Sequence, residues 1–387
     1  MTTDRTAIRR RLAVRRTAHG PPSRGRKAPG HRSIVAPLAA TVAATLAVGV
    51  GFALARSERE RRGTRQRKPD RRLGLAAGEP VAGALRRMAV GQAELAIEML
   101  AGSDGAPPDE KAVHETRKAL KRLRALLRLL RHELGDGTFA RENVVLRDTG
   151  RRLSGARDAE VMVATLDSLI DRHPRTLGRR RGVRELRARV LAEQARVQQL
   201  TFGDPATPVA ALGELHAFRH RVERWSLAEH AGIGLIERDL ERLYRQGRKR
   251  WARAVAGKGK EMLAMHEWRK RVKDLRYIAE MLQRRQHGGA LARVAAGADD
   301  LGEVLGEDHD LAVLAEHLRA GARWDGPDTW RTGRRTREAL LEAIAKRRRK
   351  LRRRALRDGR KLYRQKPKRF VRRVRNAHRR GATGRFP

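Results

Sequence analysis

Cysteine is absent from the 387 residues, which excludes disulfide bonds, zinc sites with thiolate ligands and cysteine nucleophiles. Aromatic residues amount to only 4%, which argues against a single-strand nucleic-acid binder that stacks bases on aromatic side chains. Acidic residues are also few, because 44 Asp and Glu stand against 90 Lys and Arg and leave a formal net charge of +46. Hydrophobic residues reach 40%, too many for a fully disordered basic protein. The composition therefore predicts a folded, strongly cationic protein whose partner is a polyanion or an anionic surface.

The N-terminal region predicts a membrane anchor. Residues 1–33 are rich in Arg, Pro, Ser and Gly and show no periodicity, which predicts a disordered basic arm. Residues 34–55 contain no charged residue and are long enough as a helix, at about 1.5 Å per residue, to span a bilayer core. We expect a single transmembrane helix there, with a cleaved signal peptide or a buried core helix as the alternatives. Residues 56–77 are predicted to form a charged linker whose basic residues favour a cytoplasmic domain after the span.

The remainder of the chain has helical periodicity, with Gly and Pro between segments and little strand-like alternation. The fold class predicted for it is therefore all-α. Asp109, Asp158 and Asp310 are expected to be helix N-caps, with functional acids as the alternative for the last two. Residues 376–387 are predicted to be a disordered basic tail. The predicted helices cover 80–101, 109–134, 140–154, 158–171, 182–200, 208–224, 228–255, 261–286, 290–305, 310–320 and 334–364.

Part of the sequence occurs twice. The segment VHETRKALKRLRALLRLL, beginning at Val113, matches MHEWRKRVKDLRYIAEML, beginning 152 residues later at Met265. This internal repeat predicts a duplicated helical bundle, with halves at about 78–225 and 226–375 that are related by a pseudo-two-fold axis. The same offset aligns Leu153, Asp158 and Val161 with Leu305, Asp310 and Val313.

Each copy of the repeat places cations on one helix face and leucines or other apolar residues on the opposite face, at about 100° per residue. Like charges three or four residues apart destabilise an isolated helix by a few tenths of a kcal/mol per pair. A multidentate anion site explains two such faces better than the alternative, an ordinary solvated surface. The first face comprises His114, Arg117, Lys118, Lys121, Arg124 and Arg128. The second face comprises His266, Arg269, Lys270, Lys273 and Arg276.

Both repeated histidines precede a glutamate, but the pattern does not fit a metallohydrolase. The helical zinc motif needs a second histidine four residues on, where this chain has Lys118 and Lys270. No acidic cluster of the kind that holds Mg²⁺ and no glycine-rich phosphate loop accompanies the histidines in the sequence. We therefore predict no metal, no cofactor and no catalytic residue, and we expect His114 and His266 to donate hydrogen bonds to phosphate oxygens.

The two repeated segments resemble the CHAD domain, the conserved-histidine α-helical domain. The later segments LSGARDAEV and LGEDHDLAV and the terminal RKLYRQKPKRFVRRV strengthen the resemblance, which covers about 78–375. It implies two four-helix bundles with a basic groove or cavity between them, and binding of inorganic polyphosphate by the two cationic faces. Arg122 corresponds to Asp274, so that position is not expected to be a symmetric ligand.

We therefore expect a membrane-tethered protein that binds inorganic polyphosphate without catalysis. The first alternative is a nucleic-acid-binding protein, favoured by the high net charge but lacking a groove-reading module. The second alternative is a phosphohydrolase or a metal-chelating protein that acts on phosphate polymers. Anionic lipid head groups are expected as a further partner of the basic flanks of residues 34–55. The alternative location is cytoplasmic, at polyphosphate granules, where some members of the family are found.

Overall fold

The computed structural model describes most of the chain after residue 70. The predicted basic arm, the predicted transmembrane helix and most of the predicted linker lie outside the described residues. Among the described helices, none combines the length and the apolar character that a membrane span requires. The described residues are 71–76, 78–102, 108–202, 206–257, 261–283, 289–321 and 328–382.

These residues form eleven α-helices and no β-strand, which confirms the all-α prediction. One predicted N-cap is confirmed at the start of the second helix, where the Asp109 carboxylate accepts a hydrogen bond of 2.7 Å from the Ala112 backbone N–H. The helices are α1 (Val81–Ala101), α2 (Glu110–Leu129), α3 (Arg131–Arg152), α4 (Ser154–Arg172), α5 (Arg181–Phe202), α6 (Ala206–Glu223), α7 (Gly234–Ala256), α8 (Glu261–Leu282), α9 (Ala290–Ala320), α10 (Arg334–Leu362) and α11 (Pro367–Ala382).

The apolar faces of the repeated segments form part of the core. The leucines of α2 that the pattern placed opposite its cations are buried, and so are the corresponding apolar residues of α8. Helix α2 packs against α1 and α3, while α8 packs against α7 and α9. Helices α2 and α8 also pack against each other, so the fold brings the two copies of the repeat side by side. The buried residues are Leu120, Leu123, Leu126, Leu127 and Leu130 of α2, and Trp268, Val272, Leu275, Ile278, Ala279 and Leu282 of α8.

Two of the three predicted N-caps are wrong. Asp158 lies inside α4, four residues after that helix begins, and Asp310 lies in the interior of α9. The two helices predicted at 290–305 and 310–320 are one helix of 31 residues. Helix α9 packs against α8 on one side and α10 on another, and burial between these helices stabilises its continuous form. Both aspartates are therefore side chains on helix faces.

The C-terminal end is also more ordered than the sequence predicts, because the tail expected to be disordered from residue 376 is helical as far as Ala382. Phe370, Val371 and Val374 form a buried apolar stripe on α11. Helix α11 packs on α7, where the rings of Phe370 and Tyr244 stack with centroids 4.1 Å apart. Burial of this stripe stabilises a helix whose repelling cations disfavour it in isolation.

Candidate functional site

A cavity of about 1280 Å³ lies between α2, α4, α5, α8, α9 and α10. Seven of the eleven predicted binding residues line it, and they come from both copies of the repeat. Because the leucine stripe of each repeated helix is buried in the core, its cationic face is turned to the cavity instead of the core. The seven residues are His114, Arg117, Lys118 and Lys121 of α2, and Arg269, Lys273 and Arg276 of α8.

The structure does not bring the other four predicted residues, Arg124, Arg128, His266 and Lys270, to the cavity wall. Arg124 donates to the Asn143 side chain at 3.1 Å, and Arg128 forms an ion pair of 3.2 Å with Asp274. Lys270 pairs with Glu267 at 2.8 Å. These cations have protein partners, and helical spacing alone cannot distinguish them from the cations that face the cavity.

The ion pair between Arg128 and Asp274 joins the two repeated helices where α2 and α8 pack together. Asp274 is buried and also pairs with Arg271, at 3.1 Å. Burial raises the pKa of Asp274, and the charges of Arg128 and Arg271 oppose that shift. The two copies of the repeat differ here, with Arg122 in the first and Asp274 in the second. This difference has a structural reason, because Asp274 of α8 neutralises Arg128 of α2.

Lys121 and Lys273 occupy the same position in the two copies and face the same cavity. Among the described residues, neither lysine forms an ion pair with a carboxylate. Burial, followed by the charges of Lys273, Arg117 and Arg269, lowers the pKa of Lys121 to about 7. Burial, followed by the charge of Arg269, lowers the pKa of Lys273 to about 8, although Glu303 and Asp310 oppose it. The Lys121 side chain is nevertheless accessible to solvent, because it lines an open cavity. Protein atoms surround it on several sides, and this partial desolvation is what lowers its pKa.

Arg117 and Arg269 form a second equivalent pair. In each guanidinium group Nε is buried and has no hydrogen-bond partner among the described residues. Arg117 makes only long contacts, 3.4 Å to the Asp158 carboxylate and 3.3 Å to the Gly150 carbonyl. Three arginines that do not line the cavity, Arg71, Arg86 and Arg122, also have a buried, unpaired Nε, so what distinguishes Arg117 and Arg269 is their equivalent positions on the cavity wall.

The histidines are not equivalent in the two copies. His114 is exposed where it lines the cavity, and burial, followed by Arg157, lowers its pKa. His266 lies behind the wall, with Nδ1 buried and unpaired, and its ring centroid is 4.6 Å from that of His309. His309 lines the cavity, and burial, followed by the charge of Arg269, lowers its pKa to about 4. At neutral pH His309 is therefore an uncharged member of the cavity wall.

Sequence reasoning missed Arg157 and His309, which line the cavity at equivalent positions of the repeat. Neither residue was singled out as a binding residue in the sequence. The signal was present, because both residues fall within the matching segments LSGARDAEV and LGEDHDLAV, each directly before the misassigned aspartate. Their side chains reach the cavity because α4 and α9 are continuous helices through these positions.

Charge is segregated between the walls of the cavity. Helices α2 and α8 contribute cations and no carboxylate, whereas α4, α5 and α9 contribute the acidic side chains. Three of these acids form close local ion pairs, Glu160 with Arg157, Glu193 with Arg196 at 2.6 Å, and Glu307 with Arg347 at 2.6 Å. No group of three or more histidines and carboxylates in the described part of the chain is arranged to hold a metal ion. An anion in the cavity would accordingly lie along the α2 and α8 wall.

Comparison with known proteins identifies similar chains. A family model described as the CHAD domain matches residues 92–319. The crystal structure of the CHAD domain from the plant Ricinus communis is 20% identical, with a TM-score of 0.54, and the match covers 74% of this chain and 93% of that one. PptA from Streptomyces chartreusis is 17% identical, with a TM-score of 0.52, and the match covers 74% of this chain and 100% of that one. At these identities the likeness to the solved structures shows the fold alone. Comparison with curated protein sequences gives no match.

Proposed function

The chain belongs to the CHAD domain family, which is associated with polyphosphate binding, and we propose that it binds inorganic polyphosphate in the cavity between α2 and α8 without cleaving it. The observation that supports this most directly is the arrangement of Lys121 and Lys273. Two lysines from equivalent positions line one cavity, and burial together with neighbouring cations lowers the pKa of both, although Glu303 and Asp310 partly oppose this at Lys273. Holding such amines close together is unfavourable unless an anion neutralises them.

The neighbouring arginines make the site suitable for phosphates in particular. Arg117 and Arg269 each lie one helical turn before a lysine, and residues at this spacing are about 5–6 Å apart. Both arginines line the cavity, and a guanidinium group can donate two parallel hydrogen bonds to a phosphate. Together the four side chains provide alternating forked and point-like cations for successive phosphoryl groups.

The site is tested by reversing the charge of these four side chains in one variant, with Arg117, Lys121, Arg269 and Lys273 each changed to Glu. The matched control changes four exposed arginines outside the cavity, Arg175, Arg179, Arg293 and Arg319, to Glu, which alters the net charge equally. Titration calorimetry at physiological salt should show loss of polyphosphate binding in the cavity variant and retention in the control. A cavity variant that keeps both its native melting curve and its affinity would rule out this site.

Polyphosphate and nucleic acid are separated by competition. Bound, labelled polyphosphate is challenged with RNA, DNA or unlabelled polyphosphate at matched charge and physiological salt. Polyphosphate should compete at least about tenfold better, since phosphates linked directly to one another are more closely spaced than those of a nucleic acid. Equal competition by RNA or DNA would favour the nucleic-acid alternative.

The absence of cleavage rests on sequence reasoning, because no glycine-rich phosphate loop accompanies the repeated histidines. Incubation of the protein with polyphosphate and Mg²⁺ or Mn²⁺, followed by gel analysis of chain length, tests it. Shortening that depends on the protein and disappears in the cavity variant would show an enzyme.

The repeat itself is best explained by duplication. Besides the lysines and arginines, Arg157 and Asp158 of α4 line the cavity together with their counterparts His309 and Asp310 of α9. Four pairs of positions with one sequence offset thus meet around one cavity, which supports two halves related by a pseudo-two-fold axis. An experimental structure in which each half superposes on the other through this offset would test the proposal.

The membrane anchor stays a proposal for residues 34–55, with the helical domain on the cytoplasmic side. Fractionation of cells that express the full chain or a chain lacking residues 34–55 tests it. Only the full chain should stay with membranes after a high-salt wash. Recovery of both proteins in the soluble fraction, or at polyphosphate granules, would favour the cytoplasmic alternative.

A further inference from the structure

Cations continue from the cavity along α10. Arg347 and Arg354 both line the cavity, and Arg354 is exposed, which places it at the cavity mouth. Lys350 and Lys361 lie on the same side of α10, within about 60° of Arg347 at about 100° per residue. Both lysines are exposed, and neither has a carboxylate partner among the described residues. The row from Arg347 to Lys361 is about 21 Å long at the rise of an α-helix.

Helix α11, which follows α10 after a short turn, also carries exposed cations. Arg369 and Arg372 are exposed on the face of α11 opposite its buried apolar stripe, and neither has an ion-pair partner among the described residues. From residue 343 to the end of the sequence the only acidic residue is Asp358, which lies on the same side of α10 as Arg354 and pairs with it at 3.5 Å. We call Lys350, Lys361, Arg369 and Arg372 the cationic track.

The turn between α10 and α11 is held in place on α7. The Tyr244 hydroxyl donates to the Leu362 carbonyl at 3.0 Å, and Arg248 donates to the Gln365 carbonyl at 3.2 Å. The stacked rings of Tyr244 and Phe370 fix the first turns of α11. These contacts hold the ends of α10 and α11 on α7. The track residues on the two helices therefore have a defined relative position.

We propose that a polyphosphate chain longer than the cavity leaves it at Arg354 and follows the cationic track along α10 onto α11. This inference rests on the proposed function of the cavity. A continuous polyanion suits the track because Lys350 lies between two arginines that line the cavity, and Lys361 lies about two helical turns beyond the second of them on the same side of α10. The outer surface of α10 and α11 offers no exposed aromatic side chain among the described residues, so it lacks the stacking surfaces that single-stranded nucleic acids use.

The test compares short and long polymers on the full chain. In the track variant Lys350, Lys361, Arg369 and Arg372 are each changed to Glu, and the control is the four-arginine variant described above. Tripolyphosphate should bind the track variant, the control and the unchanged protein equally, because it fits within the cavity. A polymer several times longer than the cavity should bind the track variant at least about tenfold more weakly than the control. The slope of log affinity against log salt should also become shallower by roughly 3, about 0.7 for each lost contact if the nucleic-acid relation holds for this polymer.

The outcomes separate the two proposals. If the track variant binds the long polymer as tightly as the control does, the track is overturned and the cavity proposal stands. If a folded track variant loses tripolyphosphate binding as well, the track is not a separate extension and the inference also fails. If the cavity variant still binds both polymers, the proposed function itself fails.

A second measurement needs no variant. Amine-reactive labelling of the unchanged protein, read by mass spectrometry, reports which lysines a bound polymer protects. Tripolyphosphate should protect the cavity lysines Lys118, Lys121 and Lys273 and leave Lys350 and Lys361 reactive, whereas the long polymer should protect Lys350 and Lys361 as well. Equal labelling of Lys350 and Lys361 with either polymer would overturn the track.

Discussion

At the scale of single residues, Lys121 and Lys273 determine the electrostatics of the cavity. Their pKa values of about 7 and about 8 mean that each amine is partly deprotonated near neutral pH. A bound polyanion favours the charged form and raises both pKa values towards their usual range. Polyphosphate binding should therefore be linked to proton uptake, and the linkage should be strongest between the lowered pKa values and about 10.5.

We predict net proton uptake when polyphosphate binds at pH 8. Calorimetry in two buffers with different ionisation enthalpies measures it directly, and up to one proton per lysine is expected. At this pH the lowered pKa values of His114 and His309 keep both histidines neutral. A variant with Lys121→Met and Lys273→Met should bind weakly and without uptake. Binding by the unchanged protein that releases protons, or exchanges none, would contradict the lysine assignment.

The same lysines affect the stability of the unliganded protein. In the unfolded chain each lysine titrates near 10.5, so between about pH 7 and 10.5 the unfolded state binds more protons than the native state does. Their contribution to the free energy of unfolding should therefore increase as pH rises through this window. Comparing the pH dependence of urea denaturation in the unchanged protein and the Lys121→Met, Lys273→Met variant isolates that contribution. A variant with the same pH dependence as the unchanged protein would contradict it.

Arg128 and Lys121 lie on one predicted helix face but should respond differently to mutation. Arg128→Met leaves the buried Asp274 with Arg271 as its remaining ion-pair partner, so the free energy of unfolding should fall by about 2 kcal/mol. Polyphosphate affinity should change little in that variant. Lys121→Met should weaken polyphosphate binding with little change in the melting temperature. The reverse pattern would place Arg128 in the binding site and contradict the cavity described here.

At the scale of helices, the sequence predicts a helix well when its own apolar period specifies its buried face. It does not predict a helix that is stabilised by contacts with distant parts of the chain. The apolar stripe of α2 specified both the helix and its buried face, because five leucines recur with helical period. The same period could not show that α2 and α8 pack together near Arg128, whose ion pair with Asp274 removes this predicted ligand from the cavity. Helix α11 escaped prediction because its stability comes from contacts with α7, on a distant part of the chain.

Helix α11 offers a test of that account. Phe370→Ala should remove the stacking on Tyr244 and leave a cavity in the core, which costs about 3 kcal/mol. Hydrogen exchange should accelerate over residues 367–382 before the rest of the protein is affected. Asn376→Ala, at an exposed position of the same helix, is the control. If exchange in α11 is unchanged by Phe370→Ala, the helix does not depend on this contact.

At the scale of the whole molecule, the fold places a positively charged wall in a chain whose net charge is already +46. Long-range attraction should therefore increase the association rate constant for any polyanion. Contacts within the cavity should instead lower the dissociation rate constant of the polyanion that fits it. The rate constant for association should fall steeply as salt increases, in the cavity variant as well as in the unchanged protein. The dissociation rate constant should be much larger in the cavity variant only. Stopped-flow measurements at several salt concentrations would show both effects, and equal dissociation rates would contradict this division.

Helices α2 and α8 are separated by more than a hundred residues of sequence, yet the cavity needs both. While the protein is being synthesised, the first lysine leaves the ribosome long before the second, and α2 alone offers a polymer only half of the receptor. Recognition thus begins late, when α8 has docked, and a ligand that binds only the completed receptor stabilises the finished fold over every partial one. A chain truncated before α8 would remain cationic and attract polymers weakly, but it would lack the paired amines that hold one.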